Sequence, residues 1–270
     1  MNQTIDVAGN GCVLVEQQGH TLIVTMNRPA VRNAVNFDLS IGVGEAMEFA
    51  EETSSVRTVI LTGAGDKAFC AGADLKAAAA GEFSIDDDRL ARWGFAGYVQ
   101  HAISKPTIAA VNGFALGGGT EIALASDLVV ALDTATFGLP EVKRGVFAGA
   151  GGAFRLPRQI PTKIAMEAMF TGRPISAARA YELGLVNALA PAGELMNTAL
   201  DLAEVINANA PLSVRATKRI AMGIDDHTVP AERDDWARTR REGRVLSTSE
   251  DSGEGMRAFA EKREPRWSGR

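Results

Sequence analysis

The chain has 270 residues, of which 46% are hydrophobic and 23% are charged, values that are typical of a globular protein with a large core. Its net charge of −5 argues against nucleic acid as a partner, because phosphate binding requires a basic surface. Without an apolar run of about 18 residues, a targeting segment or a CxxC motif, the sequence predicts a cytoplasmic protein that does not enter a membrane.

Alternating apolar residues and a Gly-containing turn predict a β-hairpin near the amino terminus, with strands at 13–15 and 22–26. Asn27-Arg28-Pro29 ends the second strand, because proline cannot continue a hydrogen-bonded ladder. The helical spacing of apolar residues then predicts a helix over 36–52. The other elements predicted in the first half are strands at 56–61, 107–111 and 128–132 and helices at 89–103 and 117–125.

Beyond about residue 161 the apolar residues recur at helical spacing. The predicted helices lie at 165–170, 176–183, 195–207, 212–222 and 231–247. Strands that alternate with helices indicate an α/β fold, and the uneven, Gly-rich connections favour a stacked or spiralling arrangement over a doubly wound sheet. We predict an α/β core over residues 1–195 and a helical region over 196–270 that packs on the core or on a neighbouring subunit.

Three consecutive glycines, Gly117 to Gly119, follow a predicted strand and precede an apolar helical stretch. The N–H groups at the start of a helix lack partners and carry partial positive charge, and glycine lets a ligand approach them closely. Glu121 follows one helical turn inside and is expected to face the same space. A tight helix–strand contact with a solvated glutamate explains this spacing equally well.

A second small-residue segment runs from Ala68 to Lys76 and offers exposed N–H groups around Gly72 and Ala73, with a lysine nearby for a phosphate. The stretch Gly63 to Ala68 matches GxGxxA, but Gly72 breaks the helix that a dinucleotide site requires.

The sequence gives little sign of a bound metal. The three histidines stand in unrelated polar contexts and are expected at the surface rather than on a metal: His20, His101 and His227. We therefore expect neither a metal site nor a cofactor.

Several landmarks occur in the order and spacing of one known family. The chain resembles the crotonase (enoyl-CoA hydratase/isomerase) family, and most closely an enoyl-CoA hydratase, over nearly its whole length. The segments that carry the resemblance are Asn27 to Pro29, Phe69 to Lys76, Ile108 to Leu128, Phe137 to Glu141 and Ala258 to Arg263.

The resemblance implies a fold and a substrate. The fold is a crotonase-like ββα spiral core with a C-terminal helical oligomerisation region that builds trimers, often stacked into hexamers. The substrate is an acyl-CoA thioester, so that CoA belongs to the substrate and not to a resident cofactor. The implied oxyanion donors are the N–H groups of Ala73 and Gly118, and the implied CoA-binding residues are Ala71, Asp74, Leu75, Lys76 and, from an adjacent subunit, Lys262.

Glutamates at two positions are typical of the hydratases of this family, and this chain has both Glu121 and Glu141. The resemblance implies that Glu121 activates the water, that Glu141 exchanges the proton at Cα, and that Gly149 helps to hold the water. Two close carboxyl groups should not ionise independently, so one pKa should be raised. The expected activity is reversible hydration of 2-enoyl-CoA to 3-hydroxyacyl-CoA in the degradation of fatty acids or related acyl-CoA compounds.

The chain departs from the family pattern after the second glutamate, where Val146-Phe147-Ala148 replaces a proline-containing sequence. Phe147 is a candidate wall of the acyl pocket, and residues 77–95, with Trp93 and Phe95, are expected to line the acyl tail. Chain length and branching stay open. The alternatives are an isomerase, a hydroxyacyl-CoA dehydratase and a non-catalytic acyl-CoA-binding subunit.

Overall fold

The computed structural model describes residues 2–81 and 87–270, and the strands in these ranges form two sheets. The strands are β1 (Asn2–Ile5), β2 (Val13–Gln18), β3 (Thr21–Met26), β4 (Thr58–Gly63), β5 (Ala68–Cys70), β6 (Thr107–Val111), β7 (Phe114–Leu116), β8 (Leu128–Leu132), β9 (Thr136–Gly138), β10 (Ile175–Ser176) and β11 (Ala188–Ala190).

The α-helices begin after β3. They are α1 (Phe37–Glu52), α2 (Leu75–Ala79), α3 (Asp88–Trp93), α4 (Gly118–Ala125), α5 (Gly152–Gln159), α6 (Thr162–Thr171), α7 (Ala177–Glu182), α8 (Leu195–Asn207), α9 (Pro211–Met222), α10 (Arg233–Ser247) and α11 (Glu250–Glu261). Single turns of 3-10 helix lie at Pro29–Val31, Phe95–Gly97, Glu141–Arg144 and Pro230–Glu232. None of the helices in the described ranges has the length and apolar character that a membrane crossing requires.

The larger sheet has seven strands in the order β1-β2-β3-β4-β6-β8-β11. Strands β1 to β3 form an antiparallel meander, and β3, β4, β6, β8 and β11 run parallel to one another. The smaller sheet has the order β10-β9-β7-β5, and its strands β5, β7 and β9 are parallel. Each of these follows one strand of the larger sheet and precedes a helix, so the chain repeats a ββα unit. The predicted α/β fold with a ββα spiral core is confirmed.

Two apolar clusters lie on opposite faces of the larger sheet. All six residues of β4 are buried, and because successive side chains of a strand point to opposite faces, Val59 and Leu61 enter one cluster and Ile60 the other. Helix α8 covers the second cluster with Ala199 and Ala203. The division of the chain at residue 195 stays a prediction.

The predicted hairpin and the helix over 36–52 are confirmed, with Asn36 capping α1 by accepting a hydrogen bond from the Leu39 N–H. The predicted helix over 89–103 is wrong, because α3 ends at Trp93. Gly94 has φ 73° and ψ −165°, a backbone conformation that favours glycine and cannot continue a helix, and the chain continues as the 3-10 turn Phe95–Gly97. This break brings Phe95 against the start of α4.

The sequence analysis missed helix α11, which packs on the 3-10 turn Glu141–Arg144. The contact is close, because a Cβ on Gly255 would overlap the backbone of Arg144, and a Cβ on Gly145 would overlap that of Asp251. Helix α11 therefore supports the segment that carries the second predicted glutamate.

Candidate active site

Glu121 lies in the first turn of helix α4 and is 3% exposed. Gly117, with φ 56°, makes the turn between β7 and this helix, which glycine adopts without strain. The Oε1 atom of Glu121 accepts a hydrogen bond of 2.9 Å from the Gly152 N–H at the start of α5. The carboxyl group is thus buried and held by a helix N-terminus.

Glu141 begins the 3-10 turn that follows β9, and its carboxyl group faces the Gly117 turn. Its Oε1 lies 3.3 Å from the position that a Cβ on Gly117 would occupy. Its Oε2 is buried and has no hydrogen-bond partner among the described residues. The structure therefore brings both predicted glutamates to the first turn of α4, with an acceptor oxygen unused.

Both carboxyl groups are shifted toward the protonated form. Burial, and after it the negative charge of Glu141, raises the pKa of Glu121 to about 8. Burial also raises the pKa of Glu141 to about 7. Near neutral pH such a pair holds about one proton and can accept one proton while it donates another, which general acid–base catalysis requires.

The raised pKa values make folding stability depend on pH. A group whose pKa is raised in the folded protein contributes stability below its unfolded value near 4.5 and loses that contribution as the pH rises through about 7 to 8. Glu141→Gln should therefore gain stability relative to wild type as the pH rises. The difference in free energy of unfolding, variant minus wild type, should be about 1–3 kcal/mol larger at pH 8.5 than at pH 5. Urea unfolding at both pH values measures this, and an equal effect at both would contradict it.

The predicted oxyanion donors lie on two segments that meet. Ala73 pairs with Val35 in an isolated parallel bridge, whose bonds use the Gly72 carbonyl and the Asp74 N–H, each 2.8 Å from Val35. The N–H of Ala73 therefore takes no part in the bridge. The N–H of Gly118, at the first residue of α4, has no intrahelical acceptor.

Gly72 brings these two donors together. A Cβ on Gly72 would lie 3.3 Å from the Gly118 nitrogen, and the φ of Gly72 is +91°. The residue before Ala73 therefore lies against the start of α4, and we call this contact between the two segments the amide cradle.

The predicted CoA-binding residues surround helix α2. Asp74 caps this helix by accepting hydrogen bonds of 3.0 and 3.3 Å from the N–H groups of Lys76 and Ala77, and it pairs with Arg28 at 3.0 Å. Ala71 and Leu75 are half-buried, and Lys76 is exposed. Asp74 thus has a structural role whether or not it touches CoA. Lys262, exposed at the end of α11, lies on a different part of the chain.

The three aromatic residues predicted for the acyl pocket lie in different surroundings. The Phe95 ring lies against Gly118, where an added Cβ would overlap it. The Phe147 ring is 3.7 Å from the Cβ position of Gly149, the predicted water-positioning residue, which is exposed.

Trp93 packs against Gly44 of α1, where the missing side chain leaves room for the indole ring, and its Nε1 donates a hydrogen bond to Glu48. Trp93 is therefore a buried residue of the core. Residues 82–86 of the predicted acyl-tail segment lie outside the described ranges. His101, expected at the surface, stacks on Trp93 with a side chain that is 6% exposed, since a flat imidazole fits the indole face.

The sequence analysis did not find Gly152, which donates to Glu121, or the ion pair between Arg155 and Glu232 that lies behind it. The pair Gly151-Gly152 before a helical stretch was the available signal, since a helix N-terminus favours a carboxylate. Within the described residues, no group of three or more His, Cys, Asp and Glu side chains could hold a metal ion.

Comparisons with known proteins agree with this fold. The enoyl-CoA hydratase/isomerase family model matches residues 16–270. A carnitinyl-CoA dehydratase of Proteus mirabilis is 41% identical over 260 residues, which cover 94% of this chain and 97% of that protein.

Two solved structures extend the likeness. A carnitinyl-CoA hydratase from Mycobacterium avium has a TM-score of 0.94 at 54% identity and covers 97% of this chain and 100% of that one. An enoyl-CoA hydratase from Mycobacterium tuberculosis has a TM-score of 0.74 at 46% identity, with the same coverage of 97% and 100%.

Together with the two-sheet spiral, these matches identify an enzyme of the hydro-lyase class. The chain belongs to the enoyl-CoA hydratase/isomerase family. The predicted family is confirmed, and so is the prediction of an acyl-CoA hydratase or dehydratase.

Proposed function

We propose that the protein adds water reversibly across the Cα=Cβ bond of a 2-enoyl-CoA, with Glu121 and Glu141 as the acid/base pair. The observation that carries this proposal is the convergence of buried Glu121 and half-buried Glu141, both with a raised carboxyl pKa, on the first turn of α4. The unused Oε2 of Glu141 supports it, because a buried acceptor without a partner leaves room for a donor from water or substrate.

The proposed step conserves atoms and charge. The oxygen of water bonds to Cβ, one water proton passes to Glu121, and the π electrons move toward the thioester oxygen. Glu141 then gives a proton to Cα. The N–H groups of Ala73 and Gly118 stabilise the negative oxygen, and losing one such donor costs about 2.7–4 kcal/mol in comparable sites. The N–H of Gly149 helps to orient the water, and no cofactor beyond the CoA of the substrate takes part.

Purified protein mixed with crotonyl-CoA tests the proposal through the loss of absorbance of the conjugated thioester. We expect hydration of the 2-enoyl thioester and accumulation of the 3-hydroxyacyl product. Turnover of a 3-enoyl-CoA alone would instead identify an isomerase. Binding of CoA esters without turnover, over several chain lengths, would contradict any catalytic role.

The acyl group has a second candidate. Relatives from Mycobacterium avium whose names state carnitinyl-CoA hydratase or dehydratase are 54% and 58% identical to this chain. We therefore include carnitinyl-CoA, whose loss of water gives the corresponding 2-enoyl thioester, as a proposed substrate. Its quaternary ammonium group distinguishes it from a simple short-chain thioester.

Phe147 is the proposed selectivity residue. Its half-buried ring lies 3.7 Å from the Cβ position of Gly149 and 4.0 Å from that of Gly243 on α10. An aromatic face attracts a quaternary ammonium group by about 0.5–2 kcal/mol. Phe147→Leu should therefore lower kcat/KM for carnitinyl-CoA by roughly 3–30-fold relative to that for 3-hydroxybutyryl-CoA. An unchanged ratio would exclude this contact.

Lys76 and Lys262 are proposed to contact the CoA phosphates, and Ala71, Asp74 and Leu75 to line the rest of the CoA site. We further propose a homotrimer or hexamer. Large apolar side chains after residue 160 support association, because Phe170, Leu212 and Ile220 are 73%, 75% and 82% exposed. A cytoplasmic location and the helical region 196–270 as the assembling part complete the proposal.

A further inference from the structure

The turn before helix α5 holds the hydrogen bond that fixes Glu121. The Gly152 N–H donates to Glu121 Oε1 at 2.9 Å, and the Gly151 carbonyl accepts a hydrogen bond of 2.9 Å from the Arg155 N–H. Gly151 has φ 106°. Because glycine can adopt many other backbone conformations, the neighbouring side chains must hold it in this one. A shift of this turn would move the donor away from the carboxyl group.

The Arg155 side chain lies against this turn. It is 9% exposed, and its Nε and Nη2 donate to the two carboxylate oxygens of Glu232 at 2.9 and 2.7 Å. Its Nη1 is buried without a partner among the described residues and lies 3.3 Å from the Cβ position of Gly151. This donor therefore stays against the turn because the other two nitrogens anchor the guanidinium group.

Trp236 of helix α10 also lies against the turn. Its Cη2 atom lies 3.2 Å from the Cβ position of Gly151, and its Nε1 donates to Glu232 Oε2 at 3.2 Å. The Arg155 guanidinium carbon also lies 5.5 Å from the centroid of the Trp236 ring. Glu232 thus joins the two side chains that confine Gly151.

The charges of this cluster reach Glu121. The negative charge of Glu141 raises the pKa of Glu121, whereas the positive charge of Arg155 lowers it. Glu232 faces Arg155 and partly neutralises it. About one turn further along α5, Arg158 pairs with Asp235 of α10 at 2.6 Å, and neither residue is among the nearest neighbours of the Gly151 Cβ position.

We propose that Arg155, Glu232 and Trp236 are positioning residues for the reaction, a clamp that holds the Gly151–Gly152 turn so that the Gly152 N–H stays on Glu121. The proposal rests on the proposed role of Glu121 in hydration. The proposal makes the start of α10 part of the catalytic geometry, although α10 begins about 80 residues after the start of α5 along the chain.

The test compares variants of the clamp with variants of the neighbouring ion pair. Arg155→Met removes the cation and Glu232→Gln removes its counter-charge, while Trp236→Phe removes the indole N–H and the Cη2 edge that contacts Gly151. Asp235→Asn is the matched control, because it weakens the contact between α5 and α10 without touching Gly151. The measurements are kcat, KM, the pH dependence of kcat/KM, and thermal unfolding.

Each clamp variant should lower kcat by about 10-fold or more with KM within about 2-fold, because transition-state geometry is lost while binding is kept. The acidic limb of the pH profile should move to higher pH in Arg155→Met and to lower pH in Glu232→Gln. Arg155→Lys should restore the pH profile but only part of kcat, since lysine lacks the planar fork. Trp236→Phe should lower kcat with little loss of unfolding temperature.

An infrared titration of the Glu121 carboxyl band, assigned by its loss in Glu121→Gln, gives a second readout that needs no turnover. Failure of the wild type on every enoyl-CoA would count against the proposed function, whereas the opposite band shifts in the two charge variants would still support the clamp. Equal loss of kcat in Asp235→Asn and Glu232→Gln, or pH limbs and bands that do not move, would overturn it.

Discussion

Glu121→Gln and Glu141→Gln are each expected to lower kcat for hydration by about 10²-fold or more, with KM within a few-fold of wild type. Glutamine keeps the shape of the side chain, and its amide oxygen can still accept the Gly152 hydrogen bond that Glu121 accepts. The glutamine amide cannot take up or release a proton near neutral pH. The loss should therefore appear in the chemical step and not in substrate binding.

The pH profile separates the two variants from general damage. In Glu141→Gln the pKa of Glu121 should fall, because the negative charge that raises it after burial has gone. The acidic limb should then move to lower pH. Glu182→Gln is a matched control, since Glu182 forms an exposed ion pair with Arg179 on helix α7. A loss below about 10-fold in both active-site variants would show that neither carboxyl group moves the reacting protons.

Long elements with strong periodicity could be predicted from the sequence, and short ones could not. The helix over 36–52 has a capping Asn36 and an apolar face, and the central strand β4 contains the apolar run Val59 to Leu61. By contrast, β5, β7 and β9 have three residues each, too few for a period to appear. These strands exist because they pair with one another across the chain, which is a tertiary effect.

The site divides in the same way. Glu121 could be found because the glycines and the helix start that expose it are its neighbours in sequence. Glu141 needed the family resemblance, since its approach to Gly117 depends on how two ββα units stack. Arg155 and Glu232 are 77 residues apart, and nothing local in either segment indicates their contact. Sequence patterns name donors and acids, whereas packing decides which of them meet.

Gly118→Ala is expected to lower kcat by about 10²–10³-fold, the loss that accompanies one oxyanion donor. Its Cβ would overlap the Phe95 ring, which follows the fixed turn at Gly94, so the first turn of α4 must move and carry the Gly118 N–H away from the cradle. Phe95→Ala removes the obstacle. The double variant should therefore recover kcat to within about 10-fold of Phe95→Ala alone, a coupling expected only for residues in contact. Normal turnover by Gly118→Ala would mean that the reaction does not use this N–H, and a double variant as slow as Gly118→Ala would locate the damage elsewhere than at Phe95.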